Sequence, residues 1–276
     1  MSERKTLEQL TDGELHISHS QISTYQNCSL KYFFRYVEGR KPESINISLP
    51  FGSSIHTSLA TLYRGIKNHQ VEPLEAITET FKTCLSLDLD SSDLPIIYSK
   101  TTPDKESAIA MGVKMLEVFY NTVNISDYEV VDVELPLSAP LYTYQGKSTD
   151  FKLVGIIDLL LKSPTGDLLV VDFKTASKSI SQSAVNEDTQ LTAYSYLLAS
   201  NKLITSTSDI ECQYCVLLKT KEPKVQQLNT TRTRSDRRRF AKIANVVLAA
   251  IDAKIFMPVQ SWLCSSCDYS TVCKEW

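Results

Sequence analysis

The spacing of apolar positions changes once along the chain. Up to about residue 125 they recur every three to four residues, and from Tyr128 onward they alternate. The first regime predicts helices over Ser18–Val37, Leu49–Ile66, Pro73–Leu85 and Asp104–Val123. In the first of these, Ser18 or Ser20 serves as cap, Ile22, Tyr25, Ser29, Tyr32 and Tyr36 share a face, and Cys28 lies inside. In the second, Ile55, Leu59, Leu62 and Ile66 form the apolar stripe. The second regime predicts strands over Tyr128–Leu135, Thr149–Leu161 and Leu168–Lys174, a helix over Asp188–Ala199, strands over Glu211–Leu218 and Lys224–Leu228, and a last helix over Ser235–Ala253. This order predicts one α/β domain over 1–276. It has a mixed β-sheet flanked by helices, a helical insertion at 68–125 and an irregular cysteine-bearing segment at 260–276.

Composition narrows the setting. With 276 residues and 42% hydrophobic positions the chain is long enough to bury a core and too apolar to be disordered. Asp158 and Asp252 interrupt the longest apolar runs, so no membrane span is expected. The opening MSERKTLEQL lacks the apolar core of a signal peptide, which predicts a cytoplasmic protein with reduced cysteines. Its 29 basic against 32 acidic residues exclude a globally basic coat protein but not a local basic patch.

The stretch LVGIIDLLLKSPTGDLLVVDFKT, residues 153–175, carries the chemistry. Both faces of its first strand are apolar, so an ionised Asp158 is costly there unless it is paired. Pro164-Thr165-Gly166 fits a hairpin loop with glycine in the left-handed position, which sets Ser163 opposite Asp167 and, counting back, Asp158 opposite Asp172. Opposed carboxylates in a core repel, and a divalent cation between them removes the conflict. Lys174 shares the face of Asp172. A strand-end salt bridge between these two is the plainer explanation of D-x-K by itself. His56, one helical turn after Gly52, offers an imidazole over the space that the missing side chain leaves. Gln190 and Tyr194 are neighbours on one helix face.

Cys264, Cys267 and Cys273 form C-x2-C-x5-C in the irregular C-terminal segment, a pattern suited to a thiolate metal site short of one ligand. Cys28, Cys84, Cys212 and Cys215 are candidates for the fourth. Cys212 and Cys215 point to opposite faces of a predicted strand, which indicates packing. Spacing alone leaves zinc and an iron–sulfur cluster both open.

Taken in order, SxSxI..Y..C at Ser18–Cys28, GxxxH at Gly52–His56, GxxD at Gly155–Asp158, DxK at Asp172–Lys174, QxxxY at Gln190–Tyr194 and the terminal cysteines resemble the RecB-like nucleases of the PD-(D/E)XK superfamily. The resemblance is strongest to the iron–sulfur branch with AddB-type nuclease domains and the CRISPR-adaptation nucleases. It implies a restriction-endonuclease-like core whose N- and C-termini are stapled by a [4Fe–4S] cluster on Cys28, Cys264, Cys267 and Cys273. It also implies Mg²⁺ or Mn²⁺ held by His56, Asp158, Asp172 and the Phe173 carbonyl. Lys174, its proton affinity lowered by the cation, would then position and deprotonate the attacking water, and Gln190 and Tyr194 would support the site. The residue after Cys28, commonly proline in that family, is Ser29 here.

The function so implied is a metal-dependent deoxyribonuclease, an exonuclease on DNA ends or single strands in repair, recombination or DNA processing. A separate helicase or CRISPR-adaptation protein is the implied partner. The alternatives are a nuclease-fold protein that binds DNA or a partner without cutting, and a zinc-stapled protein of another class. For DNA contact, TRTRSDRRRF supplies Arg232, Arg234, Arg237, Arg238 and Arg239. Lys31, Arg35 and Arg40 form a second strip beside Tyr32, Phe33, Phe34 and Tyr36. Gly146-Lys147-Ser148 imitates the end of a phosphate-binding loop, but Leu141 stands where that loop needs glycine.

Overall fold

The structure, a computed structural model, describes residues 13–124, 126–143 and 145–276. Residues 1–12, which include the segment read as lacking a signal peptide, fall outside this range. In chain order the elements are β1 (His16–Ser18), α1 (His19–Asn27), α2 (Ser29–Tyr32) with a π-turn over Phe33–Val37, β2 (Ile45–Asn46), α3 (Ser48–Lys67), α4 (Leu74–Asp90), β3 (Ile96–Ile97) and α5 (Lys105–Thr122). There follow β4 (Glu129–Tyr142), β5 (Ser148–Lys162), β6 (Leu168–Ala176), α6 (Gln182–Glu187), α7 (Thr189–Ser200), β7 (Ile210–Leu218), β8 (Lys224–Arg232), α8 (Arg234–Asp252), a 3₁₀ turn over Trp262–Ser266 and α9 (Ser270–Glu275). No helix among the described residues is long and apolar enough to cross a membrane.

The fold is α/β, with a six-stranded mixed sheet between two helical layers. On one face, Val170 and Val216 of the sheet pack with α1, α7 and α8 through Ile22, Leu191, Leu197 and Phe240. On the other, Leu159, Val171 and Leu217 pack with α3, α4 and α5 through Phe51, Leu59, Phe81 and Phe119. The 68–125 region is largely helical, as expected, and also holds the short β3 beside β2.

The hairpin arithmetic holds. Ser163 N–H donates to Asp167 O at 2.8 Å, Gly166 has φ +93°, and the ladder pairs Lys162 with Leu168 through to Leu159 with Val171. The next step would pair Asp158 with Asp172, and there the ladder ends. On that same edge, β1 pairs with β5 only over Lys152–Val154. The edge of β5 from Gly155 to Asp158 is therefore open, flanked by β1 on one side and β6 on the other.

Two expectations are corrected. Strict alternation along β5 fails, because Ile157 and Leu160 lie in the same core while Leu159 and Leu161 lie in the other. In β4, Val133 belongs to the α3 side and Leu137 to the α7 side, and Glu134 between them has φ +51°. Glu134 is the residue that the register sets against Asp158. Both strands thus exchange faces at one cross-strand position, through a backbone conformation that costs an L-residue roughly 1–2 kcal/mol.

The second correction concerns Ser18–Val37, which is not a single helix. Ser18 caps α1 in a capping box with Gln21, and the helix breaks at Cys28, whose backbone is extended. The Gly146–Ser148 turn runs into β5 and no helix follows it, in agreement with the reading that it only imitates a phosphate loop.

Candidate active site

The open edge of β5 gathers the seven predicted site residues. Asp172 and Lys174 project from β6 on the face shared with Val170, toward α7, while Phe173 is buried on the α3 side. Asp158 sits at the face exchange and is reached from α3 and from the β6 backbone. Its Oδ2 accepts the Phe173 N–H at 2.8 Å and its Oδ1 lies 3.3 Å from Nδ1 of His56, on α3. Gln190, in the first turn of α7, donates from Nε2 to Asp172 Oδ1 at 2.9 Å and to Tyr194 Oη at 2.8 Å, and accepts from Lys174 Nζ at 2.8 Å. Lys174 Nζ also lies 2.6 Å from Asp172 Oδ2 as an ion pair, an oxygen that takes no well-directed hydrogen bond.

Glycine makes this approach possible. A Cβ at Gly155 would stand 2.9 Å from Leu197 Cδ1, so a larger residue there would push that side chain aside. Gly52 differs from expectation. A Cβ there meets only Thr175 Oγ1, at an ordinary 3.6 Å, so nothing in the protein requires the space it leaves.

The electrostatics follow from burial against charge. Burial pushes the fully enclosed Asp172 up to about 6, partly offset by the Lys174 ammonium and reinforced by Asp158. Burial works against the charged forms of His56 and Lys174, yet the carboxylates outweigh it and both are raised, His56 chiefly by Asp158 and Lys174 chiefly by Asp172. The expectation of a lowered Lys174 supposed a cation beside it. In the chain by itself Lys174 is held as an ammonium. Burial and the two aspartates keep the Tyr194 phenol protonated.

Sequence reasoning missed three neighbours. His19 opens α1 directly after β1, bonds to Thr189 Oγ1 at 3.0 Å, and is lowered by burial, opposed by Asp188 and aided by Lys174. Tyr214 pairs in register with Asp172, and Lys174 Nζ lies 5.1 Å from its ring centre. Asp188 caps α7 by accepting from the Gln190 N–H at 2.6 Å. Of these only Asp188 had a signal in the sequence, an aspartate immediately before a helical run.

The cysteines gather at the opposite corner. Leu30, Phe34 and Tyr269 form a small core with Cys28, Cys267 and Cys273 packed against it, and Cys264 is exposed. Burial raises the Cys273 thiol, aided by Cys28, Cys267 and Cys264 nearby. Among the described residues, however, no three His, Cys, Asp or Glu side chains form a group ready to hold a metal ion, at this corner or at the carboxylates. The chain ends are joined here by direct bonds. Ser29 Oγ donates to Met257 O at 3.2 Å and accepts from Met257 N–H at 2.9 Å, and Lys31 pairs with Asp268 at 3.0 Å. Cys212 and Cys215 are buried in opposite cores, as expected of packing.

A model of the PD-(D/E)XK nuclease superfamily matches residues 16–274. The chain belongs to that superfamily. Among solved structures it is similar to one described as a "Putative exonuclease" from Eubacterium rectale, with TM-score 0.56 and 11% identity over 97% of this chain and 94% of that one. It is more weakly similar to SSO0001, with TM-score 0.34 and 14% identity over 89% and 94%, too low to argue from. A search of curated proteins gives no match. Superfamily membership accounts for the mixed sheet and for the D-x-K strand end at its open edge.

The predicted basic run divides. Arg232 and Arg237 are buried, 2% and 5% exposed, and their guanidinium groups bond within the protein, so they are not a DNA surface. Arg234, Arg238 and Arg239 are exposed, and with Lys242 they line one shallow basic depression on α8. In the second strip Lys31 is engaged by Asp268, and Tyr32 and Phe34 are buried in an aromatic cluster, so neither ring can stack on a base.

Proposed function

We propose that the chain is a metal-dependent deoxyribonuclease, a single nuclease domain acting as an exonuclease on DNA ends or single strands in repair, recombination or DNA processing. The supporting observation is the meeting of Asp158, Asp172, Lys174 and Gln190 at the open edge of β5, with His56 behind them. The donors suit a hard divalent cation. Two carboxylates stand together, Asp172 Oδ2 faces the Lys174 ammonium at 2.6 Å, and the carboxylates raise the proton affinity of both His56 and Lys174.

His56, Asp158, Asp172 and the Phe173 carbonyl would hold Mg²⁺ or Mn²⁺. Bound there, the ion supplies Lewis-acid polarisation of the phosphodiester and a more acidic water. With such an ion bound, Lys174 Nζ, aimed by Gln190 Oε1, would release its own proton to solvent and, as the neutral amine, would be placed to accept one from the attacking water. Tyr194 stays a neutral phenol and anchors the Gln190 carboxamide. The partner of this reading is a separate helicase or a CRISPR-adaptation protein.

End-labelled single- and double-stranded DNA, incubated with Mg²⁺, Mn²⁺ or chelator, tests the reading. Metal-dependent shortening from the ends that disappears in Asp172→Ala is expected. DNA left intact with every metal would instead favour the silent DNA- or partner-binding subunit.

We assign Cys28, Cys264, Cys267 and Cys273 to a [4Fe–4S] cluster, a reading supported by four free thiols near one another at the chain-end corner. Anaerobically purified protein should be brown with absorbance near 400 nm, and colourless protein containing zinc would refute the assignment. Arg234, Arg238, Arg239 and Lys242 are assigned to backbone phosphates. Arg238→Glu with Arg239→Glu should weaken DNA binding about tenfold and reduce its salt slope by roughly one for each phosphate no longer neutralised, as measured by fluorescence anisotropy.

A further inference from the structure

We propose that Arg232 is a positioning residue for this site. Its guanidinium fixes the first turn of α7, and through that turn it sets the Gln190 carboxamide that joins Asp172 to Lys174. The inference rests on the nuclease reading above.

Arg232 ends β8 and is among the largest fully buried side chains. All its N–H directions are used, and every acceptor is neutral. Nε donates to Thr192 Oγ1 at 2.9 Å. Nη1 donates to Thr230 Oγ1 at 2.7 Å and Thr231 O at 3.1 Å, and Nη2 to Val185 O at 2.6 Å and Asp188 O at 3.0 Å. Three of these acceptors, Val185, Asp188 and Thr192, span the junction of α6 and α7. One planar fork therefore locks the end of α6, the cap of α7 and its first turn to the same strand end.

Asp188 links that lock to the site. Its carbonyl is held by Arg232, while its side chain accepts from the Gln190 N–H at 2.6 Å. Gln190 must then present Oε1 to Lys174 and Nε2 to Asp172 and Tyr194 together, which a shift or flip of the carboxamide would destroy. A lysine cannot replace the fork, because its donors radiate from one atom. Burying a cation without a bonded carboxylate is unfavourable, so a side chain kept there is better explained by the geometry it sets than by the stability it adds.

The neighbouring α8 supplies a control. Arg237 is also buried, but it donates to Ser195 Oγ at 2.9 Å and to the Ser206 and Ser208 carbonyls at 3.0 and 2.9 Å, beyond the first turn of α7 and away from Gln190.

The experiment compares wild type, Arg232→Lys, Arg237→Lys, Gln190→Ala and Arg232→Lys/Gln190→Ala by Tm, by kcat and KM on end-labelled DNA, and by the ¹⁵N–¹H signals of the Gln190 carboxamide, assigned by their loss in Gln190→Ala. Both lysine variants should lower Tm. Only Arg232→Lys should cut kcat about ten- to hundredfold at nearly constant KM and shift the carboxamide signals. In the Gln190→Ala background it should cost nothing more. The inference is overturned if the two lysine variants lose kcat alike, if the Arg232 and Gln190 losses multiply, or if the carboxamide signals do not move. Should Arg232→Lys fail to fold, Thr192→Val, which removes the Nε acceptor together with the long Thr192 Oγ1 donation to Asp188 O at 3.4 Å, replaces it in the cycle. A wild type that cuts no DNA while Arg232→Lys still shifts the carboxamide would refute the nuclease reading and leave the positioning intact.

Discussion

The carboxylate edge and the cysteine corner hold their reactive groups in different ways. At the edge, each functional side chain stands on a long strand or helix buried in the sheet's two cores, and the polar atoms are tied to one another. At the corner, three thiols pack against a three-residue core while the fourth, Cys264, is exposed, and the bonds from Ser29 to Met257 that join the chain ends do not involve them. The first region is organised before anything binds.

The largest effect that would break this contrast lies at the edge. Lys174→Ala should reduce kcat by about 10²–10⁴-fold, the range of general acid–base contributions, and Asp172→Ala should abolish cleavage. Circular dichroism should show an intact fold for both. Activity near wild type in Lys174→Ala would mean that the edge is organised for structure and not for chemistry.

Next in size is a pH effect on stability without metal. Asp172 is raised to about 6 in the folded chain from an ordinary 3.8, so the folded state holds this proton more tightly than the unfolded state. Its contribution is therefore most favourable below pH 3.8, falls as pH rises toward about 6, and is level above that, a change on the order of 1–3 kcal/mol. Denaturant titrations across this window should show the slope in wild type and a flatter profile in Asp172→Asn. Mn²⁺ should raise Tm above pH 6 in wild type alone.

The smallest effect on catalysis is expected at the corner. Cys28→Ser or Cys264→Ser should remove the 400 nm absorbance and lower Tm by several degrees. Cleavage by the protein that remains folded should stay within a few fold. A hundredfold loss of activity in a variant with unchanged Tm would show that the corner acts on the site and not only on the chain ends.

The edge was legible in the sequence because strand register is arithmetic. A loop identified by Pro164 and Gly166 fixes every pair behind it, and Asp158 falls opposite Asp172 without knowledge of the rest of the fold. Gln190 and Tyr194 were legible from helical spacing. His19 and Tyr214 were not, since they reach the site only through the pairing of β1 with β5 and of β6 with β7, parallel pairings made by segments far apart in sequence. Charge was the poorest guide. Five arginines in one short run look alike, but the amphipathic geometry of α8 and the end of β8 turn Arg232 and Arg237 inward and leave the other three in solvent.

Because β4 and β5 trade faces at Glu134 and Asp158, the sheet has a seam, and the aspartate sits on it. Side chains on either side of the seam press on different helical layers, with Ile157 against the α7 layer and Leu159 against the α3 layer. A disturbance in either layer reaches the same carboxylate. Two cores that are otherwise separate therefore share one mechanical reference point, and trimming Ile157 or Leu159 should move Asp158 by opposite routes.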